Sequence, residues 1–381
     1  MQRSDLHIPV IYYHSVGIKN SHWVNNFLTL DLPCFEDQLK YFRKHFNLIS
    51  LSEFFNIRMG LRSPVKNALV ITFDDGYLDN WIWAFPIIKK YGVKATIFVS
   101  PEFVDPRPFV RPNLEDVWAG RASQNEITRW GFLSWDEMRL MESSGLVDIQ
   151  SHTMSHTKFF TSDLLAGFHP GSDSFYATCN LAPERKPYYI SDSDFNRILP
   201  YGYPLFEEAS AVIARKVEIN SDFTGQCIEI LKDYDFTHYD FDTAKQKVAS
   251  LYRQFKDRDE LIVGNESEEE YLKRAKDEIY GSKKIIEENL NKKVEFLCWP
   301  HGDNNKLLHQ IALDSGYLMT TIGKADVSKK DMNTRITERL GVNFSSWRKK
   351  QKTIFKLKAI SGKIPYYLLI SGYRNLFRIK K

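Results

Sequence analysis

The stretch Ala68–Asn80, ALVITFDDGYLDN, decides how the rest of the chain is read. Five of its first six residues are apolar, and two carboxylates, Asp74 and Asp75, follow side by side and are closed by Gly76. A short run that is apolar on both faces fits a strand covered on both sides, as in a parallel sheet flanked by helices. Similar runs recur outward from it: IPVIYY and NLIS before it, and KATIFVS, LVDIQ, VEFLCW and YLMTTI after it. Amphipathic stretches lie between them, among them CFEDQLKYFRKHF and SWDEMRLMESSG. The second opens on Ser134 as N-cap and ends before Gly145. Strands alternating with helical patterns predict an α/β barrel or a doubly wound sheet.

One interval breaks the rhythm. His156 and Val294 are 138 residues apart, whereas a strand-plus-helix repeat needs about 30. The interval reads as an insertion over 158–265. It starts with the turn-rich, aromatic FHPGSDSFYATCNLAPERKPYYISDSDF and runs into helical patterns near 204–219, 222–234 and 242–257, with a further helix over 267–290 returning to the core. The domain reading is therefore a discontinuous barrel, 1–157 with 266–347, a helical cap at 158–265, and a basic amphipathic tail at 348–381.

The chain has 381 residues, 43% of them hydrophobic, enough for one large core or two modest ones. Its net charge of +4 is too small to argue for nucleic acid. From Arg348 onward there are eleven Lys or Arg and no Asp or Glu, so the preceding residues carry −7. Cys34, Cys179, Cys227 and Cys298 form no C-x-x-C pair, which disfavours a zinc ribbon or redox dithiol and suggests a reducing compartment. The N-terminal residues hold no apolar core of signal-peptide length, and no segment reaches about 18 uninterrupted apolar residues. The expectation is a cytoplasmic protein, peripheral at the inner membrane face, whose tail touches anionic lipid.

In parallel α/β architectures the working groups gather at the carboxyl ends of strands. IPVIYY delivers His14, ALVITF delivers Asp74 and Asp75, LVDIQ delivers SHTMSH with His152 and His156, and VEFLCW delivers PHGD with His301 and Asp303. Two histidines at i and i+4 with one carboxylate make a three-ligand centre that leaves a position open for water. A cation there lowers the pKa of that water to about 7. Asp75, His152 and His156 are the candidate ligands, and Asp74 the candidate base that deprotonates the metal-bound water. Alone, H-x-x-x-H or D-D-G after a strand is usually structural; both together, at strand ends, point to a metal. Zinc leads, with Co2+, Ni2+, Fe2+ and Mn2+ remaining open, since two His and one carboxylate also describe a ferrous site.

TFDDGY followed by SHTMSH resembles the first two motifs of the polysaccharide deacetylases, the NodB-homology or carbohydrate esterase family 4 enzymes. IPVIYYHSV, CFEDQLKYFRKHFNLISLSEF and FLCWPHGDNN are similar to segments of the branch containing the poly-N-acetylglucosamine deacetylases. The resemblance covers about 7–157 and 266–343. It implies a distorted (β/α)7 barrel and hydrolysis of N-acetyl groups from amino sugars of a glycan; the basic tail suggests that this glycan is lipid-linked or membrane-proximal. The resemblance gives Asp74 the part of base, Asp75, His152 and His156 the metal, and His14 the part of general acid. Arg339, preferred to Arg335, would orient the base, and Pro300, His301 and Gly302 would face the substrate carbonyl. His301 stands where the family usually has tyrosine. A non-sugar amide hydrolase on the same barrel and a carbohydrate-binding homologue without catalysis are the competing readings.

Overall fold

A computed structural model describes residues 8–19, 27–170, 200–236, 240–323, 335–342 and 345–362. All seven apolar runs contain strands, and all of these pair in parallel. In spatial order the sheet runs Ile336–Glu338, Met319–Ile322, Phe296–Cys298, Val147–Ser151, Ala95–Val99, Ala68–Phe73, Val10–Tyr13 and Leu340–Gly341, with Asn47–Leu48 beside Ala68–Phe73. The two marginal strands, Ile336–Glu338 and Leu340–Gly341, are separated in sequence by Arg339 alone. The chain crosses the seam there and draws the sheet into a nearly closed barrel. Counted as one strand broken at Arg339, they bring the barrel to seven strands, as the (β/α)7 expectation has it.

The alternation of side chains divides the core. Ala68 and Val70 join Val10, Phe98, Phe296, Cys298 and Met319 in an interior cluster, closed off by Leu51, Phe54, Phe55 and Ile57 of the helix Leu51–Arg58. Leu69, Ile71 and Phe73 point the other way, into the larger cluster beneath the helices. Both faces are thus covered, which is why these strands are apolar throughout. The helix Leu32–His45 buries Phe35, Leu39 and Phe42, one stripe at helical spacing. Trp135–Ser143 begins at a Ser134–Glu137 capping box, and Gly145 follows it with φ +69°.

Within 158–265 the structure has a long antiparallel hairpin, Lys158–Phe168 with Pro204–Ser210, and a small one, Val217–Ile219 with Ile262–Asn265. Two helices, Ser221–Leu231 and Phe241–Asp257, pack on a separate core that includes Phe168, Phe206, Phe223, Leu231 and Phe255. The helical pattern read over 204–219 is corrected: these residues are strands at Pro204–Ser210 and Val217–Ile219. Pairing with Lys158–Phe168 overrides local propensity, and Pro204 opens the strand where no ladder N–H is needed. Most of the turn-rich segment, 171–195, lies outside the described residues. The helix read over 267–290 runs from Glu268 to Leu290 with a π-helical turn at Asp277–Gly281.

The start of the basic tail is a helix, Trp347–Ile360, docked on the barrel through Thr353, Leu357 and Ala359. Residues 363–381 lie outside the described part. Among the described residues no helix is long and apolar enough to cross a membrane.

Candidate active site

Strand register explains the first contact. Val10 pairs with Val70 and Tyr12 with Thr72; since side chains alternate, the next inward-facing pair is His14 and Asp74. His14 Nε2 lies 3.9 Å from Asp74 Oδ2, close enough for charge coupling and too far for a hydrogen bond. One tier below, Thr72 donates its hydroxyl to the Ile11 carbonyl.

Simple alternation would send Asp75 to the opposite face from Asp74. The backbone prevents this by turning left-handed at Asp75, φ +72°, and again at Gly76, φ +69°. A Cβ on Gly76 would come within 2.8 Å of Val99 Cγ1, so the turn requires glycine. Both carboxylates therefore reach one cavity from adjacent positions.

Arg339, only 2% exposed, grips Asp74 with both arms, Nη1 to Oδ1 at 2.6 Å and Nη2 to Oδ2 at 2.8 Å. It also donates to Thr72 Oγ1 and to Cys298 Sγ, and its guanidinium lies 5.0 Å from the Tyr12 ring and 5.4 Å from that of Phe98. Burial acts to raise the Asp74 pKa, but Arg339, with smaller help from His152 and His14, holds the carboxyl below its ordinary value. Asp74 is thus kept charged and fixed in direction. Arg335 lies at the opposite end of its strand, where its carbonyl accepts from Thr320 N.

Asp75 Oδ1 lies 3.2 Å from His152 Nε2 and 3.3 Å from His156 Nε2. It is buried and accepts no well-directed hydrogen bond. His152 Nδ1 faces the Cys298 carbonyl at 2.9 Å, which fixes Nδ1 as the donor and turns the Nε2 lone pair toward Asp75. Two acceptors facing each other at this distance need a positive charge between them. A tetrahedral ion with bonds of about 2.0–2.1 Å sets its ligands about 3.3 Å apart; both Asp75–His separations match this, and all three atoms lie within 4.8 Å of one another. The protonation directions agree. Burial works against charge on His152, yet the Cys298 sulfur and the Asp75 and Asp74 carboxylates raise its pKa well above the usual value. On Asp75, burial is outweighed by the two imidazoles, and its pKa falls below the carboxylate range. Burial drives His156 down to about 3.

These residues line a cavity of ≈ 810 Å³ together with Tyr12, Trp299, His301 and Gly302. The insertion forms its opposite wall with Lys158, Ala166, Leu205, Phe206 and Glu208, and Lys158 pairs with Glu208 at 2.8 Å. Pro300–Gly302 makes a tight turn in which His301 is left-handed, φ +58°, and its ring lies 4.8 Å from that of His156. Pro300 has no N–H, and that of Gly302 is bonded to the Trp299 carbonyl at 3.0 Å. The His301 N–H is the donor this turn can offer. Burial, then Lys158, lowers the His301 pKa.

Sequence reasoning missed Cys298 and Tyr12, both of which touch Arg339. Cys298 looked like one more apolar residue of a buried strand. Its place two residues after Phe296, on the interior face, was the available signal.

Residues 62–169 match the family model described as polysaccharide deacetylase, an interval that holds Asp74, Asp75, His152 and His156. Over 150 residues the chain is 27% identical to the protein YxkH of Bacillus subtilis (strain 168), covering 39% of this chain and 43% of that one. Over 156 residues it is 25% identical to the poly-β-1,6-N-acetyl-D-glucosamine N-deacetylase of Staphylococcus aureus (strain N315), covering 37% and 46%. The chain thus spans less than half the length of these curated relatives. Two solved structures share its fold. A de-N-acetylase from Aggregatibacter actinomycetemcomitans has TM-score 0.54 and 18% identity, over 91% of this chain and 98% of that one. The BpsB deacetylase domain from Bordetella bronchiseptica has TM-score 0.52 and 17% identity, over 88% and 95%. Over residues 62–169 the chain thus matches the polysaccharide deacetylase family, and its fold is that of solved deacetylases.

Proposed function

We propose that the protein is a divalent-cation-dependent hydrolase that removes N-acetyl groups from amino sugars of a glycan. The observation that carries this reading is the convergence, in one cavity, of a two-His, one-Asp donor set with an arginine-clamped carboxylate and a histidine on its far side. Asp75, His152 and His156 would hold the cation, and their donor set suits zinc among other divalent ions. When bound, such an ion supplies Lewis acidity that makes water a nucleophile near neutral pH and polarises the substrate carbonyl.

The remaining work falls to the chain's own side chains. Asp74, charged and immobilised by Arg339, accepts the proton of the attacking water. The His301 N–H, which the turn leaves over, would bond the carbonyl oxygen as it gains charge. His14, 3.9 Å from Asp74, delivers a proton to the departing nitrogen. The amide C–N bond breaks, a C–O bond forms, and acetate and a free amine leave without a covalent enzyme intermediate. The glycan enters against the insertion, whose Lys158, Phe206 and Glu208 form the wall facing the centre.

The deciding experiment measures acetate released from N-acetylglucosamine oligomers by metal-stripped protein, zinc-reloaded protein and Asp74→Asn. Release that requires zinc and disappears in the variant supports the reading. Stoichiometric zinc without acetate from any oligomer removes the sugar assignment, and failure to bind a divalent ion removes the catalytic one.

The exposed face of the helix Trp347–Ile360 supports a second, peripheral contact. Trp347 is 74% exposed, and six Lys or Arg with no acid follow within the helix. Anionic membrane is the partner this charge fits. Co-sedimentation with phosphatidylglycerol vesicles and not with phosphatidylcholine vesicles is expected, and equal partitioning would remove it.

A further inference from the structure

Between the two histidine ligands the chain makes a tight loop with left-handed residues at Thr153, φ +63°, and His156, φ +47°. Such backbone persists only where its surroundings over-determine it, so the partners of its amides are informative. Met154 N and Ser155 N both donate to Glu278 Oε2, at 3.1 and 3.0 Å, and the Ser155 hydroxyl donates to Glu278 Oε1. Glu278 is 6% exposed and sits in the π-helical turn Asp277–Gly281. One turn on, Ser282 Oγ meets Ser151 Oγ at 2.8 Å, and Ser151 Oγ accepts from Thr153 N. Gly281 leaves room for Met154, whose Cε would lie 2.8 Å from a Cβ at that position.

We propose that Glu278 is a positioning residue of the cation centre. Its carboxylate fixes the Met154–Ser155 turn and thereby aims His152 and His156 at the point they share with Asp75. This rests on the reading of Asp75, His152 and His156 as cation ligands. Three donors from two successive residues converge on one buried carboxylate. A widened helical turn is a recurrent feature of functional sites, and here it sets the carboxylate against the loop. The helix Glu268–Leu290 is also where the chain returns from the insertion, so the segment that brings the chain back to the barrel braces the ligand loop.

The test compares zinc affinity, by competition with a chromophoric chelator, for the full chain and for Glu278→Ala, Glu278→Gln and Ser155→Ala, with circular dichroism to check the fold. Loss of a partner behind metal ligands typically weakens binding about 10–100-fold, the effect expected for Glu278→Ala. Glu278→Gln keeps a carbonyl oxygen for the two amides and can turn its NH2 to Ser155, so it should retain most of the affinity. Ser155→Ala deletes one of the three bonds to Glu278 and the bond Ser155 Oγ accepts from Thr157 N, and a loss of about three- to tenfold is expected. A folded Glu278→Ala protein that binds zinc like the wild type overturns the proposal. If that variant does not fold, an unchanged affinity in Ser155→Ala overturns it equally. Wild-type protein that binds no zinc brings down the cation reading and this inference together, whereas tight wild-type binding with indifferent variants removes Glu278 alone.

Discussion

Replacing Arg339 by Met removes the main group that opposes burial at Asp74, ahead of His152 and His14. In the native site the carboxylate meets two charge-assisted hydrogen bonds of 2.6 and 2.8 Å inside a barrel whose other neighbours are Thr72, Cys298, Tyr12 and Phe98. Without the guanidinium, burial pushes the Asp74 pKa up, and a protonated carboxyl cannot accept a proton from water. General-base catalysis is worth about 10²–10⁴-fold, equivalent to about 2.7–5.4 kcal/mol. Breaking one half of a buried ion pair costs about 3–5 kcal/mol, a comparable quantity reached by a separate route. The expectation is a fall of about 10²–10⁴-fold in kcat/KM for acetate release from N-acetylglucosamine oligomers, with zinc stoichiometry kept. Asp74→Asn should fall into the same range, and the double variant should be little worse than either single one, because the two residues act as a unit. Arg339→Lys retains a charge but loses the two-armed grip, and should lie between. The acid limb of the pH–rate profile should move to higher pH in Arg339→Met, since the base must now be ionised without its partner. A variant within tenfold of wild type, or losses from the two single changes that multiply in the double, would refute the coupling.

His14→Ala should lower kcat by about 10²–10⁴-fold with KM and bound zinc unchanged, because His14 faces Asp74 and is no ligand; loss of zinc would return it to the cation site. Saturating wild type with zinc at about 100 times its Kd should stabilise it by about 2.7 kcal/mol, and Asp75→Asn by none, read as the shift in a denaturant midpoint; equal shifts would place the ion elsewhere. Asp79 is buried beneath Ser15, Val16 and Asn80, and burial raises its pKa from 3.8 to about 7. The fold therefore favours the neutral acid, and this contribution is complete below about pH 3.8 and fades as pH rises through about 7. At about 1.36 kcal/mol per unit the full swing is on the order of 4 kcal/mol. Stability measured from pH 4 to 8 should fall less steeply in Asp79→Asn than in wild type, and parallel curves would contradict the assignment.

Much of the barrel and its centre was legible because buried parallel strands leave a plain mark: apolar runs, each ending in an ionisable residue. What sequence could not supply was register. That His14 and Asp74 are neighbours follows only once Tyr12 is paired with Thr72. The choice between Arg335 and Arg339 was decidable in principle, since Arg339 lies at the carboxyl end of the strand and Arg335 at its start. The reason Arg339 reaches the interior is the seam, which is a property of closure and leaves no local trace. Pro204–Ser210 read as helix because its partner, Lys158–Phe168, lies some forty residues away in sequence and carries few strand signals of its own. Glu278 was hidden among the acids of a charged helix. Its signal was position: it falls on the stripe of Tyr271, Ala275, Ser282 and Ile286, all buried, where a carboxylate has no reason to be unless it has donors to meet.

The same logic accounts for the pair of aspartates with which the reading began. A strand presents every second residue to one face, so two adjacent carboxylates can serve one cavity only if the backbone turns over between them. That turn is left-handed at Asp75, and left-handed residues appear again at Thr153, His156 and His301, so four of the seven such non-glycine residues in the described structure border the candidate cation centre. Each costs about 1–3 kcal/mol, more than a random distribution of loops would tolerate in one place. The rigid surroundings resist that strain: Arg339 and Thr72 behind Asp74, Val99 against Gly76, the Cys298 carbonyl behind His152, and Glu278 beneath Met154 and Ser155. Relaxing the turn at Asp75, Thr153 or His156 would ease the chain locally and scatter donors that now lie 3.2 and 3.3 Å apart. The strain and the site are one feature, and the barrel is the frame stiff enough to hold it.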